Sequence, residues 1–108
     1  MKKGEIWLVE FPITNGHEQT GTRPVIVMAE TPPIAAIIPF TSNIQALRFP
    51  YTKEVKPTKT NGLSAVSIAL VFQIRAIDIR RFKKKIGELE DSVMKQIDDM
   101  LKRFLDLS

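Results

Sequence analysis

The 108-residue chain is 44% hydrophobic and 26% charged, with a formal charge of +4 and an isoelectric point near 9.6; a chain of that length buries roughly two thirds of its unfolded surface, enough for one globular domain over residues 1–108. It has no cysteine and a single histidine, which excludes a disulfide framework and a thiolate metal site and leaves the usual zinc centre without ligands, so the chemistry is expected to run without metal or any other cofactor. No stretch approaches the roughly 20 apolar residues that span a bilayer, and the opening MKKGEIWLVEF is broken by Glu5 and Glu10, so a cytoplasmic protein with no membrane contact is expected.

The first element is GEIWLVEF, Gly4 to Phe11. Ile6 and Leu8 fall on one face and Trp7, Val9 and Phe11 on the other, the period of a strand. About eleven residues follow before the next apolar run, long for a hairpin in a compact domain. RPVIVMAE and IAAIIPF are then two strands joined at TPP, whose prolines suit a turn and exclude a central ladder position. RFPYTKEV alternates more weakly, with Pro50 marking a bulge or an edge. AVSIALVFQIRAIDI is long enough for two strands bent near Val71 to Arg75. Several short strands with tight turns indicate a small barrel or sandwich.

The period changes in GELEDSVMKQIDDMLKRFLDLS. Leu89, Val93, Ile97, Met100, Leu101, Phe104 and Leu105 recur every three or four residues, so this is an amphipathic helix, expected to cover one opening of the barrel. Glu88, Glu90 and Asp91 lie near its positive end, and Lys102 and Arg103 near its negative end.

Charge is unevenly spread. Residues 1–87 carry 13 Lys/Arg against 6 Asp/Glu, and residues 88–108 carry 3 against 6. A basic body raises the encounter rate with a polyanion, nucleic acid first among them. The one charge run, RRFKKK from Arg80 to Lys85, reads either as a solvated connection between strand and helix or as a phosphate-contacting rim, which would be salt-sensitive and indifferent to sequence.

The long loop gathers the most chemistry. NGHEQTGTRP, residues 15–24, places His17, Glu18 and Arg23 between two strands, and long loops on rigid strands often carry function. Pro24 restricts Arg23 to extended backbone, and a guanidinium fixed in that way matches two oxygens of a phosphate in its transition state. His17 can shuttle a proton near neutral pH, with Glu18 orienting it. From the residues alone, a surface histidine and a structural Glu18–Arg23 ion pair stay open beside that reading.

The loop belongs to a longer set of motifs. GEIWLVEF, GHEQTGTRPVIV from Gly16 to Val27, PFTSN from Pro39 to Asn43, NGLSAVSIAL from Asn61 to Leu70, QIRAIDIRRF from Gln73 to Phe82 and the GELEDSVMKQIDDML helix follow in one order and spacing. In these the sequence resembles, over nearly its whole length, the toxin family of bacterial and archaeal toxin–antitoxin systems known as MazF, PemK or Kid. The match is least specific over residues 44–60.

The resemblance implies a mainly β fold with one helix, the SH3-like small barrel of CcdB, MazF and Kid with a C-terminal amphipathic helix. It implies a homodimer, an acidic antitoxin bound in the RNA groove, and DNA binding in that antitoxin's company. It further implies a metal-independent endoribonuclease, an mRNA interferase that cuts single-stranded RNA at short sequences, leaving a 2′,3′-cyclic phosphate and a 5′-hydroxyl. Carried over residue by residue, Arg23 takes the place of the phosphate-stabilising arginine and Thr41 that of a threonine near the scissile phosphate. His17 matches an acid of the Kid-like branch, and Glu18 and Gln19 share its loop. Thr22, Ser42, Asn43 and Gln73 fall at positions that contact RNA.

One departure bears on mechanism. Many relatives carry an acidic residue just before the glutamine, and the Kid-like branch an arginine two positions earlier; this chain has Phe72 and Leu70. Either Glu18, or Arg23 with His17, then serves as base, or cleavage is slower or differs in preference. Phe72 itself is a base-stacking residue or a core or interface phenylalanine. Two other readings stay open: a catalytically inactive RNA-binding barrel, and a CcdB-like toxin that binds gyrase.

Overall fold

A computed structural model describes residues 1–11 and 21–107. Seven strands, β1 (Glu5–Phe11), β2 (Gly21–Thr31), β3 (Ile34–Thr41), β4 (Thr52–Val55), β5 (Ser67–Leu70), β6 (Arg75–Asp78) and β7 (Phe82–Glu88), precede one helix, α1 (Asp91–Phe104). All pairings are antiparallel, in the order β4-β5-β3-β2-β1-β7, and β6 joins at β3. One edge of β3 therefore serves two partners: Ile34–Ile37 face β6, and Phe40 and Thr41 face β5. A strand shared in this way curls the sheet, and the result is a small barrel-like fold closed off by a C-terminal helix.

The central strands bury both faces, which is why they read as unbroken apolar runs rather than alternations. Ile6, Ile26, Ile38 and Phe40 point into the larger core with Leu89 and Ile97 of the helical region. Val9, Val25 and Ile37, at positions of the other parity along the same strands, point the other way, into a smaller core with Phe11, Ala35 and Ile77 that Trp7 and Phe82 close at 5.9 Å.

The helix keeps the predicted stripe with shorter bounds. Ile97 is fully buried, contributing about 2 kcal/mol by removal from water, and Val93, Met94, Met100 and Leu101 pack around it. Phe104 and Leu105 remain exposed. Asp91 stands in the first turn and Lys102 and Arg103 in the last. At its start Glu90 accepts a 2.7 Å hydrogen bond from the Thr58 hydroxyl, tying α1 to the 56–63 loop.

The hairpin at Thr31–Ile34, the weak edge strand after Pro50 and the bend between β5 and β6 fall where the sequence put them. The segment after Arg81 does not. Phe82–Glu88 is a full strand on β1, not a solvated connection; its three consecutive lysines hide any alternation. Two register shifts against β1 let the lysines sit along an outer edge while Ile86 still turns inward.

Candidate functional site

The site begins with two prolines. The register of β2 and β3 runs from Thr31–Ile34 to Val25–Pro39 and stops there. Pro24 and Pro39 have no N–H to offer a ladder, so beyond that pair the strands separate. β2 continues along β1 alone, with Pro24 opposite Leu8, Arg23 opposite Val9 and Thr22 opposite Glu10, while the end of β3 turns to β5. Between them opens a cleft of about 500 Å³, with Thr22, Arg23 and Pro24 on one side and Phe40, Thr41 and Ser42 on the other.

The floor and third wall come from Leu8, Ile86 and the Gly62–Ser67 segment. That segment is held by Asn61, which is fully buried. Its Oδ1 accepts the backbone N–H groups of Thr58 and Leu63, each at 3.0 Å, and its Nδ2 donates to the Lys56 carbonyl at 2.9 Å. Gly62 adopts φ +69°, and a Cβ there would overlap the Ile86 carbonyl, so only glycine fits this turn.

The cleft has a definite chemical character. Thr22, Thr41, Ser42, Ser64 and Ser67 supply hydroxyls, Arg23 is the one ionisable residue among the described lining residues, and no carboxylate is among them. Thr41 Oγ1 accepts the Asn43 N–H at 3.2 Å, which leaves the hydroxyl hydrogen for another acceptor. A guanidinium among hydroxyl donors suits an anionic oxygen-rich group such as a phosphodiester.

Comparison with known proteins places the chain in a family. The sequence pattern of PemK-like, MazF-like toxins of type II toxin–antitoxin systems fits residues 2–105. The chain belongs to this family. Among its relatives is "Endoribonuclease EndoA" of Bacillus subtilis (strain 168), 32% identical over 106 residues, which cover 94% of this chain and 90% of that protein. The crystal structure of MazF (Form-I) from Deinococcus radiodurans superposes with a TM-score of 0.78 over 99% of this chain and 97% of its own, at 23% identity, a likeness of fold. A MazE–MazF crystal structure (Form-II) from the same organism gives 0.76 at 25% identity, over 100% and 97%.

Within this toxin family member, the structure brings Thr22, Arg23, Thr41 and Ser42 together. Asn43 and Gln73 are not among the cleft's lining residues: the Asn43 side chain accepts the Gln45 N–H at 3.0 Å and starts the 3-10 turn over Ile44–Arg48, and Gln73 is exposed at the end of another such turn. His17, Glu18 and Gln19 lie outside the described residues. Phe72 is half-buried against Phe49, ring centroids 6.0 Å apart. Sequence reading missed Leu8, Ile86, Leu63, Ser64 and Ser67 as lining residues; the signal for the last three was the Asn61–Gly62 turn dipeptide beside two serines.

Proposed function

We propose that this toxin, acting as one domain over residues 1–108, is a metal-independent endoribonuclease that cuts single-stranded RNA at short sequences in the cytoplasm. The observation that carries the reading is the meeting of Arg23 and Thr41 in one hydroxyl-rich cleft. Membership of the family and likeness to a protein named an endoribonuclease support it.

The chemistry follows from the groups. A ribose 2′-hydroxyl attacks the adjacent phosphorus and gives up its proton, the bond to the 5′-oxygen breaks, and that oxygen is protonated as it leaves. The products are a 2′,3′-cyclic phosphate and a 5′-hydroxyl. Arg23 holds the charge that grows on the phosphoryl oxygens, and Thr41 donates a hydrogen bond beside it. His17 and Glu18 carry the proton traffic. Thr22, Ser42, Gln19, Asn43 and Gln73 contact flanking nucleotides. DNA is spared because it lacks the internal nucleophile.

The proposed partners follow the charge and the apolar surface. An acidic antitoxin segment fits a body that carries 13 Lys/Arg against 6 Asp/Glu over residues 1–87, and MazE–MazF complexes are among the structural relatives. A homodimer is supported by an aromatic cluster in which Phe49 meets Phe72, the Phe72 N–H donates to the Tyr51 carbonyl at 3.4 Å, and Tyr51 meets Phe104 at 5.2 Å, with Phe49 and Phe104 both exposed. Contiguous exposed apolar surface marks an interaction site.

Phe72 and Leu70 in place of polar family residues favour one second reading, an inactive RNA-binding barrel. Incubation with a long RNA in EDTA, followed by mapping of the ends, separates the readings. Discrete cuts with 5′-hydroxyl ends support the nuclease, binding without cuts supports the inactive barrel, and the absence of both cutting and binding points to a CcdB-like protein target.

A further inference from the structure

Of the five basic residues between Arg80 and Lys85, three pair with neighbouring carboxylates, and Arg81 and Lys84 have no carboxylate ion pair among the described residues. Arg80 Nη2 lies 2.9 Å from Asp78 Oδ2, and its Nε reaches both carboxylate oxygens. Lys83 pairs with Glu10 at 3.5 Å. Lys85 pairs with Glu5 at 3.3 Å and with Glu88 at 3.5 Å. Among the described residues no carboxylate ion-pairs with Lys84, which is exposed between two compensated lysines.

Its register position is specific. Lys84 stands directly opposite Leu8, and Leu8 stands opposite Pro24 on the far side of β1. Directly opposed residues project to the same face of an antiparallel ladder. Leu8 and Pro24 both line the cleft, as does Ile86, two residues from Lys84 along β7. Adjacent strands lie about 4.8 Å apart, so β2 and β7 are separated by roughly 10 Å, the scale of a nucleotide or two of extended chain. Arg23, the cleft's one ionisable lining residue among those described, can answer one phosphate.

We propose that Lys84 forms a second phosphate subsite on the β7 rim of the cleft, binding the backbone of single-stranded RNA one or two nucleotides away from the phosphate at Arg23. This rests on the endoribonuclease reading. Lys84 is a binding residue that fixes the strand's path along β1 and reads no base. Lys83 and Lys85 each pair with a carboxylate, so the subsite is built on the Lys84 ammonium.

The test compares Lys84→Ala, Lys84→Arg and, as a control for net charge, Lys95→Ala on the exposed outer side of α1. Cleavage is followed on a single-stranded RNA and on copies carrying one uncharged methylphosphonate at successive positions. Lys84→Ala is expected to raise KM about three- to tenfold and to lower the slope of log affinity against log salt by about one. Lys84→Arg retains affinity, and Lys95→Ala matches wild type. One methylphosphonate position weakens wild type and adds nothing to Lys84→Ala. Equal KM for Lys84→Ala and wild type, or equal losses for Lys84→Ala and Lys95→Ala, overturns the subsite while leaving the nuclease reading intact. No cleavage by wild type overturns the nuclease reading, and the subsite with it.

Discussion

Pro24 and Pro39 flank the point at which β2 and β3 part: Val25–Pro39 is the last register pair between them, and the cleft opens beyond it between Thr22–Pro24 and Phe40–Ser42. The same two residues that end a ladder thereby create the site. Pro24→Ala restores an N–H and frees the backbone of Arg23. It is expected to lower kcat/KM for RNA cleavage about tenfold through loss of positioning, with a stability change below about 1 kcal/mol, as measured by parallel kinetics and denaturant titration.

This division explains what the sequence could reveal. Strands β1 to β3 were legible because period and turn chemistry act locally: Trp7 and Ile6 diverge to opposite faces, and Pro32 and Pro33 mark the hairpin. Strand β7 was not, because Lys83, Lys84 and Lys85 carry no alternation, and only pairing with β1 gives them a structure. Family motifs singled out Thr22, Arg23, Thr41 and Ser42, which the structure brings together in one cleft. The wall made by Leu63, Ser64 and Ser67 left only the Asn61–Gly62 dipeptide as a signal, since its place beside Arg23 depends on how a buried asparagine folds the segment.

That asparagine gives a second prediction. Asn61→Ala leaves the N–H groups of Thr58 and Leu63 and the Lys56 carbonyl without their partner. The expected cost is about 2–3 kcal/mol, seen as a lower urea midpoint at unchanged slope, together with a several-fold loss of cleavage as the wall shifts. An unchanged midpoint would show that the loop has another anchor.

Glu5 makes stability depend on pH. Burial raises the pKa of this carboxyl, but the 2.8 Å hydrogen bond from Trp7 Nε1, a backbone hydrogen bond from Lys2 and the neighbouring Lys85 ammonium outweigh it, and the net direction is downward from 4.5. A lowered native pKa contributes stability that is present above the unfolded value and lost as pH falls through the native one. Glu5→Gln should therefore be less stable than wild type by about 1 kcal/mol at neutral pH, and the gap should close under acid. Thermal unfolding at several pH values checks it; a gap constant with pH contradicts the assignment.

The apolar face gives a prediction about assembly. Phe49→Glu puts a charge on the surface that Phe49 shares with Phe72 and Arg48, whose guanidinium lies 5.0 Å from the Phe49 ring centre. Sedimentation is expected to report a dimer for wild type and a folded monomer for the variant. A wild-type monomer at micromolar concentration would remove the dimer from the proposal.

The central claim is that Arg23 stabilises a phosphodiester in the cleft it shares with Thr41. Its most direct test is cleavage of a single-stranded RNA by Arg23→Ala, with product ends mapped and folding followed by circular dichroism. Loss of a preorganised charge at the reacting oxygen costs on the order of 10²–10³ in rate, so the folded variant should yield almost no 5′-hydroxyl ends. Cuts at the wild-type positions and rate would contradict the account.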